Sequence, residues 1–166
     1  MFKIGDYVVY GTNGVCRIDS IGTLNMGMGD REYYTLTPVY EKKSKLFIPV
    51  DNQKIVMRPV LTRQETDKLI DEIQNIDVLC VEDEKKREEV YKEAMRTCDS
   101  KQWVRIIKTL YLRKLDRMQH GKKATSSDEK YLHMAQQNLY GEMAFALEIP
   151  KEEVEHFIAE RMQEKH

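Results

Sequence analysis

The chain changes its hydrophobic rhythm once, near residue 60. Before that point apolar residues come in short runs rich in β-branched and aromatic types, at residues 7–10, 15–18, 33–37, 46–48 and 55–57. Turn-forming residues separate them. Six of the eight glycines and three of the four prolines lie within residues 1–60. Short strands punctuated this way predict a small, strongly bent barrel or sandwich. Thr12-Asn13-Gly14 reads as a tight turn, because Asn and Gly both tolerate positive φ. Residues 25–30 hold two glycines and two methionines and read as a hairpin tip.

After residue 60 the spacing becomes helical. Thr62 and Glu65 form a capping-box pattern, with Leu69, Ile70 and Ile73 following on one face. A second helix is predicted over 83–96. Asp99 or Ser100 caps a third, with Trp103, Ile107, Leu110 and Tyr111 as its inner stripe, and Gly121 ends it. Ser126 with Glu129 is a further capping box, ahead of Leu132, Ala135, Leu139, Met143 and Ala146. Pro150 suits the first position of a last helix, whose apolar face is Val154, Phe157, Ile158 and Met162. No heptad persists over several turns, so these read as bundle helices rather than a long coiled coil. The fold class is therefore α+β, with a small β-barrel or sandwich over 1–60 and an all-α helical bundle over 61–166.

Charge changes the picture only when it is resolved by segment. The 166 residues carry 27 Lys+Arg against 28 Asp+Glu, a net charge of −1, which taken as a total argues against nucleic acid. By segment the balance is +2 for residues 1–60, −4 for 61–98, +6 for 99–125 and −5 for 126–166. The neutral total hides one basic helix and loop: Lys101, Arg105, Lys108, Arg113, Lys114, Arg117, Lys122 and Lys123. A smaller cluster, Lys85, Lys86 and Arg87, opens the second helix among acidic neighbours. Such a patch can neutralise phosphates without reading sequence. The competing reading is a solvated face paired with the acidic helices.

Candidate chemistry is sparse. His120, His133, His156 and His166 pair with no cysteine or histidine at zinc-ligand spacing, and no metal or other cofactor is expected. Nucleotide-binding, metalloprotease and hydrolase-elbow motifs are missing. Gly27-Met28-Gly29 lacks the remaining glycine of a phosphate loop. Cys16, Cys80 and Cys98 are odd in number and widely spaced, which favours a reducing cytosol over a disulfide framework. No apolar run approaches the roughly 18 residues of a membrane span, and no secretory leader is read at the start. The expectation is a cytoplasmic, non-enzymatic protein.

Several ordered motifs carry a resemblance. Phe2-Lys3-Ile4-Gly5-Asp6-Tyr7-Val8-Val9-Tyr10-Gly11-Thr12-Asn13-Gly14 resembles the opening of CarD/CdnL-family transcription regulators. Tyr33-Tyr34, then Ile48-Pro49-Val50-Asp51-Asn52, then Val56-Met57-Arg58-Pro59-Val60 follow in the family's order. Asp128-Glu129-Lys130 and Leu139-Tyr140-Gly141-Glu142-Met143-Ala144 are similar to its helical half. The resemblance implies a Tudor-like small β-barrel that docks on the β subunit of bacterial RNA polymerase. The transcription-repair coupling factor carries the same module. It also implies helices that contact the promoter DNA backbone beside the melted bubble and tune open-complex stability. A polymerase-binding adaptor without DNA contact is the alternative.

Three departures stand out. Gly11 replaces a frequent proline. Leu24 and Phe47 stand where some members place polymerase-contacting arginines, which leaves Leu24, Lys45, Phe47 and Ile48 as the expected polymerase contacts. Glu84-Lys85-Lys86-Arg87 lacks the tryptophan that many members wedge into the minor groove, and Trp103 is expected inside.

Overall fold

A computed structural model describes residues 2–23 and 31–164. Strands β1 (Tyr7–Tyr10), β2 (Val15–Thr23), β3 (Glu32–Pro38), β4 (Leu46–Pro49) and β5 (Met57–Pro59) form one antiparallel sheet. Its order is β4-β3-β2-β1-β5, so it is open, with β4 and β5 at the edges. The sequence predicts a small, strongly bent barrel or sandwich, and the resemblance a small barrel; the sheet is not closed, for no β4–β5 pairing joins the edges among the described residues. The pairing of β2 with β3 shifts at Asp19, between Ile18 opposite Leu36 and Ser20 opposite Thr35. Such a bulge bends the strand and increases its twist. The predicted hairpin tip at 25–30 lies outside the described residues. The last strand starts two residues later than predicted, because the ladder opens with Tyr10 opposite Met57. Ile55 and Val56 precede it as exposed side chains.

Alternation gives the sheet two buried faces. Val8, Tyr10, Cys16, Ile18, Tyr34, Leu36 and Ile48 form a core of their own, flanked by Phe2, Ile21, Leu46, Val50 and Met57. Among the described residues, no helical residue belongs to it. Val9 and Val15 point the other way and join the helical core. The two sequence halves therefore share one hydrophobic cluster.

That cluster is built by α1 (Arg63–Glu72), α2 (Arg87–Arg96), α3 (Ser100–Gln119), α4 (Ser126–Leu147) and α5 (Val154–Glu164). Thr62 and Glu65 make both bonds of the expected capping box, at 3.1 and 3.0 Å. Asp99 caps α3 by accepting from Lys101 N at 2.9 Å. The α4 cap is Thr125, which accepts from Asp128 N at 3.1 Å, rather than the predicted Ser126. Pro150 lies just outside the last helix, at ψ 144°, and a single 3₁₀ turn (Lys151–Glu153) leads into α5. α4 is the central element, buried from Tyr131 to Leu147 on its inner face. Trp103 is fully buried, as its stripe predicts. Tyr111 departs from that stripe at 56% exposure, because the buried side of α3 ends at Leu110 and its last turns project into solvent.

Polar contacts fasten sheet to helices. Arg58 on β5 forms a two-pronged ion pair with Glu142 on α4, at 2.6 and 2.7 Å. Its Nε donates to the Cys98 carbonyl at 2.6 Å, and its guanidinium lies 5.5 Å from the Trp103 ring centroid. Glu142 also accepts from Leu61 N at 2.9 Å. Tyr40 donates to the Gly141 carbonyl at 2.9 Å. A Cβ on Gly141 would stand 3.2 Å from the Tyr40 ring, so glycine permits this approach. Tyr7 packs on Phe145 with ring centroids 4.6 Å apart.

Candidate interaction surfaces

Two surfaces follow from the sequence expectations. The first is the β4 edge. β4 bonds β3 along one side, and its other side faces no strand among the described residues. An unpaired edge of N–H and C=O groups is a template for strand addition. Alternation turns Phe47 outward at 45% exposure and Ile48 inward at 4%. Ile48 therefore offers a partner only its backbone, while Phe47 offers its ring. Lys45 projects beside it, its ammonium 3.5 Å from Asp19. Leu24 lies outside the described residues.

The second surface is the basic stretch of α3 and its neighbours. The structure does not gather these cations into one free patch. Lys108 Nζ donates to the Ile73 carbonyl at 2.9 Å and also to the Gln74 and Ile76 carbonyls. It closes the C-terminal end of α1, where a cation suits the helix dipole. Arg105 donates to the Asp77 and Val78 carbonyls, and Thr109 accepts from Leu79 N. This face of α3 is the seat of the irregular segment that links α1 to α2. Lys101 pairs with Glu72 at 3.3 Å. Arg113 pairs with the buried Asp128 at 2.7 Å and with Glu84 at 3.3 Å. Arg117 donates to the Lys123 carbonyl at 2.8 Å.

Arg87 forms a two-pronged pair with Glu84 and donates to Tyr91 Oη at 2.8 Å. The Arg87 guanidinium holds the Glu84 carboxyl down at about 2. Five ammonium groups of the expected set stand exposed and pair with no carboxylate among the described residues: Lys85, Lys86, Lys114, Lys122 and Lys123. Beside them α3 exposes Tyr111, Leu112, Leu115 and Met118, at 40–58%.

Sequence reasoning missed the Arg58–Glu142 pair. Its signal was present: Glu142 is a lone carboxylate inside an apolar helical run, and a buried charge requires a partner. Among the described residues no group of His, Cys, Asp and Glu side chains could hold a metal ion, and no helix is long and apolar enough to cross a membrane.

Comparison with known proteins bears on both halves. Residues 2–61 match the sequence profile described as the CarD-like/TRCF RID domain, and residues 68–159 match that of the CarD C-terminal domain. The transcription-repair-coupling factors of Staphylococcus aureus strains USA300 and NCTC 8325 / PS 47 are 36% identical over 67 residues. That stretch is 40% of this chain and 6% of each of those proteins, so the chain spans only a small part of the curated relatives it matches.

Proposed function

Because the chain belongs to the CarD-like family, we propose that it is a transcription regulator that docks on the β subunit of bacterial RNA polymerase. Residues 1–60, read as a Tudor-like module, make that contact, and residues 61–166 approach promoter DNA. The observation that carries the reading is the match of residues 2–61 to the domain shared with transcription-repair coupling factors. The free β4 edge supports it with a mode: main-chain pairing to a partner strand, with Phe47 and Lys45 as the specificity contacts.

DNA contact falls to the exposed ammonium groups of Lys85, Lys86, Lys114, Lys122 and Lys123. Each is a point charge that suits phosphate without base readout. Five such contacts give weak, salt-sensitive affinity on their own. Tethering to polymerase supplies the local concentration that makes weak affinity sufficient. Open-complex lifetime on one promoter, with and without the protein, tests this. The expected result is a changed lifetime that Phe47→Glu abolishes together with β-subunit binding. An unchanged lifetime beside intact polymerase binding refutes the DNA arm. No binding to the β subunit at micromolar protein refutes the whole reading.

One observation favours the adaptor as a second reading. Most guanidinium groups of the basic stretch are spent on internal carbonyls and carboxylates. Duplex binding that stays undetectable at low salt would select it.

A further inference from the structure

A cleft of about 310 Å³ opens where the sheet meets the helices, and neither interaction surface uses it. The β half contributes the Gly11–Asn13 turn with Lys54 and Ile55. α2 contributes Lys92, Met95 and Arg96, and α4 contributes Lys130, Tyr131 and Met134. Four cations thus line one cleft, and no carboxylate lines it among the described residues.

Several buried or half-buried cations elsewhere face carboxylates: Arg58 faces Glu142, Arg113 faces Asp128, and Arg161 faces Asp67. Of the four cleft cations, Arg96 alone has an ion-pair partner among the described residues, Glu93 at 2.6 Å. Lys130 rests 5.3 Å from the Tyr131 ring centroid, and Lys54 and Lys92 have no ion-pair partner among the described residues. Like charges held together without a counterion favour an anionic occupant. The apolar lining adds a second requirement. Ile55, Met95 and Met134 line the cleft with apolar groups, two of them thioethers, and such sulfurs make favourable contacts with aromatic rings. A bare phosphate would leave these groups wet. The volume stands at the small end of the range for small-molecule sites.

We propose that this cleft binds a nucleoside phosphate, with its phosphates among Lys54, Lys92, Arg96 and Lys130 and its base over Met95 and Met134. Thr12 and Asn13, exposed on the turn, offer polar groups to the sugar. The occupant would touch both halves of the chain at once. It would therefore favour the arrangement in which sheet and helices are docked as seen, and bias how the two interaction surfaces are presented. The inference does not rest on the polymerase reading, because binding is measured on the protein alone.

The test is a titration of the full chain, followed by the methionine methyl resonances, with three probes: ADP, inorganic pyrophosphate and a short DNA duplex. ADP is expected to shift Met95 and Met134, at least tenfold more tightly than pyrophosphate. Lys92→Gln with Lys130→Gln should weaken ADP binding at least tenfold. Both side chains are exposed, so the unfolding midpoint should not move, which separates lost binding from lost fold. No shift with millimolar ADP overturns the proposal. So does pyrophosphate binding as tightly as ADP, which would make the cleft a simple cationic patch. Duplex DNA that moves these resonances while ADP does not would assign the cleft to nucleic-acid backbone and overturn it equally.

Discussion

The Arg58–Glu142 pair predicts an asymmetry between its two halves. Glu142 is 1% exposed at its side chain and Arg58 is 22% exposed. Arg58→Met leaves a carboxylate sealed in the seam with Leu61 N as its remaining partner. Removing one partner of a buried pair costs about 3–5 kcal/mol. Glu142→Gln keeps shape and some hydrogen bonding, and the guanidinium left behind can still reach water. Its cost is about 1–3 kcal/mol, that of weakened buried hydrogen bonds. The double variant Arg58→Met/Glu142→Met removes both charges, so its loss should fall well short of the sum of the single losses. Urea unfolding of the three variants, at constant m value, measures each term. Arg58→Met costing less than Glu142→Gln, or a double variant that loses the full sum, would refute this asymmetry. The first outcome would mean that water already reaches Glu142, and the second that the pair carries no mutual energy.

Other expectations follow from single contacts. Gly11 sits at φ +49° and donates to the Val56 carbonyl at 2.9 Å, so Gly11→Pro, the family's frequent residue, should cost at least about 2 kcal/mol in thermal or urea unfolding. Lys108→Met should cost about 1–2 kcal/mol by uncapping α1 and its following segment. The triple variant Lys114→Gln/Lys122→Gln/Lys123→Gln should stay within about 0.5 kcal/mol of the parent while flattening the salt dependence of promoter effects. Thiol labelling of the native protein should find Cys80 fast and Cys16 and Cys98 slow, since only Cys80 is exposed. Burial pushes the Cys16 thiol from 9.0 up to about 12. The folded state therefore holds that proton more tightly than the unfolded chain. Its contribution to stability is complete below pH 9.0 and is lost as pH rises toward 12. Cys16→Ala should remove that alkaline step; an unchanged profile would count against it.

Periodicity made the elements legible, but not the partners of polar side chains. Strand runs, the Thr62–Glu65 box and the Trp103 stripe are local patterns, and local patterns survive without knowledge of the fold. The α4 cap slipped by one residue because Thr125 and Ser126 are both good caps and only the chain's entry angle selects between them. The open sheet was not legible, because short strands between turns describe a sandwich, a barrel and an open curl alike. The basic face of α3 was legible as charge and not as use. Arg105 and Lys108 bond backbone carbonyls of residues 73–78, and a carbonyl has no letter in the sequence. Gly11 shows the same limit from the other side. The sequence shows only a missing proline there, whereas the structure uses a positive φ and an N–H that proline cannot supply.

These internal uses of charge bear on how the molecule can act at DNA. A segment balance of +6 for residues 99–125 invites a free patch of eight cations. With Arg105, Lys108, Arg113 and Arg117 engaged on the protein itself, the exposed remainder of the basic set is a handful of lysines. Neutralising about three to five phosphates gives a salt slope of roughly −3 to −5, against the steeper slopes of proteins that bind DNA unaided. Neighbouring acidic segments lower the attraction further. A protein of this charge gains little from binding free duplex, and a partner that brings it to the promoter supplies what its own electrostatics lacks. On the proposed function, the free β4 edge and the basic helices would be complementary parts of one device. Cutting the edge contact should abolish promoter effects even with every lysine in place, and cutting the lysines should spare attachment to polymerase. Equal loss of both activities in the lysine variant, or promoter effects that survive loss of attachment in the edge variant, would refute that division.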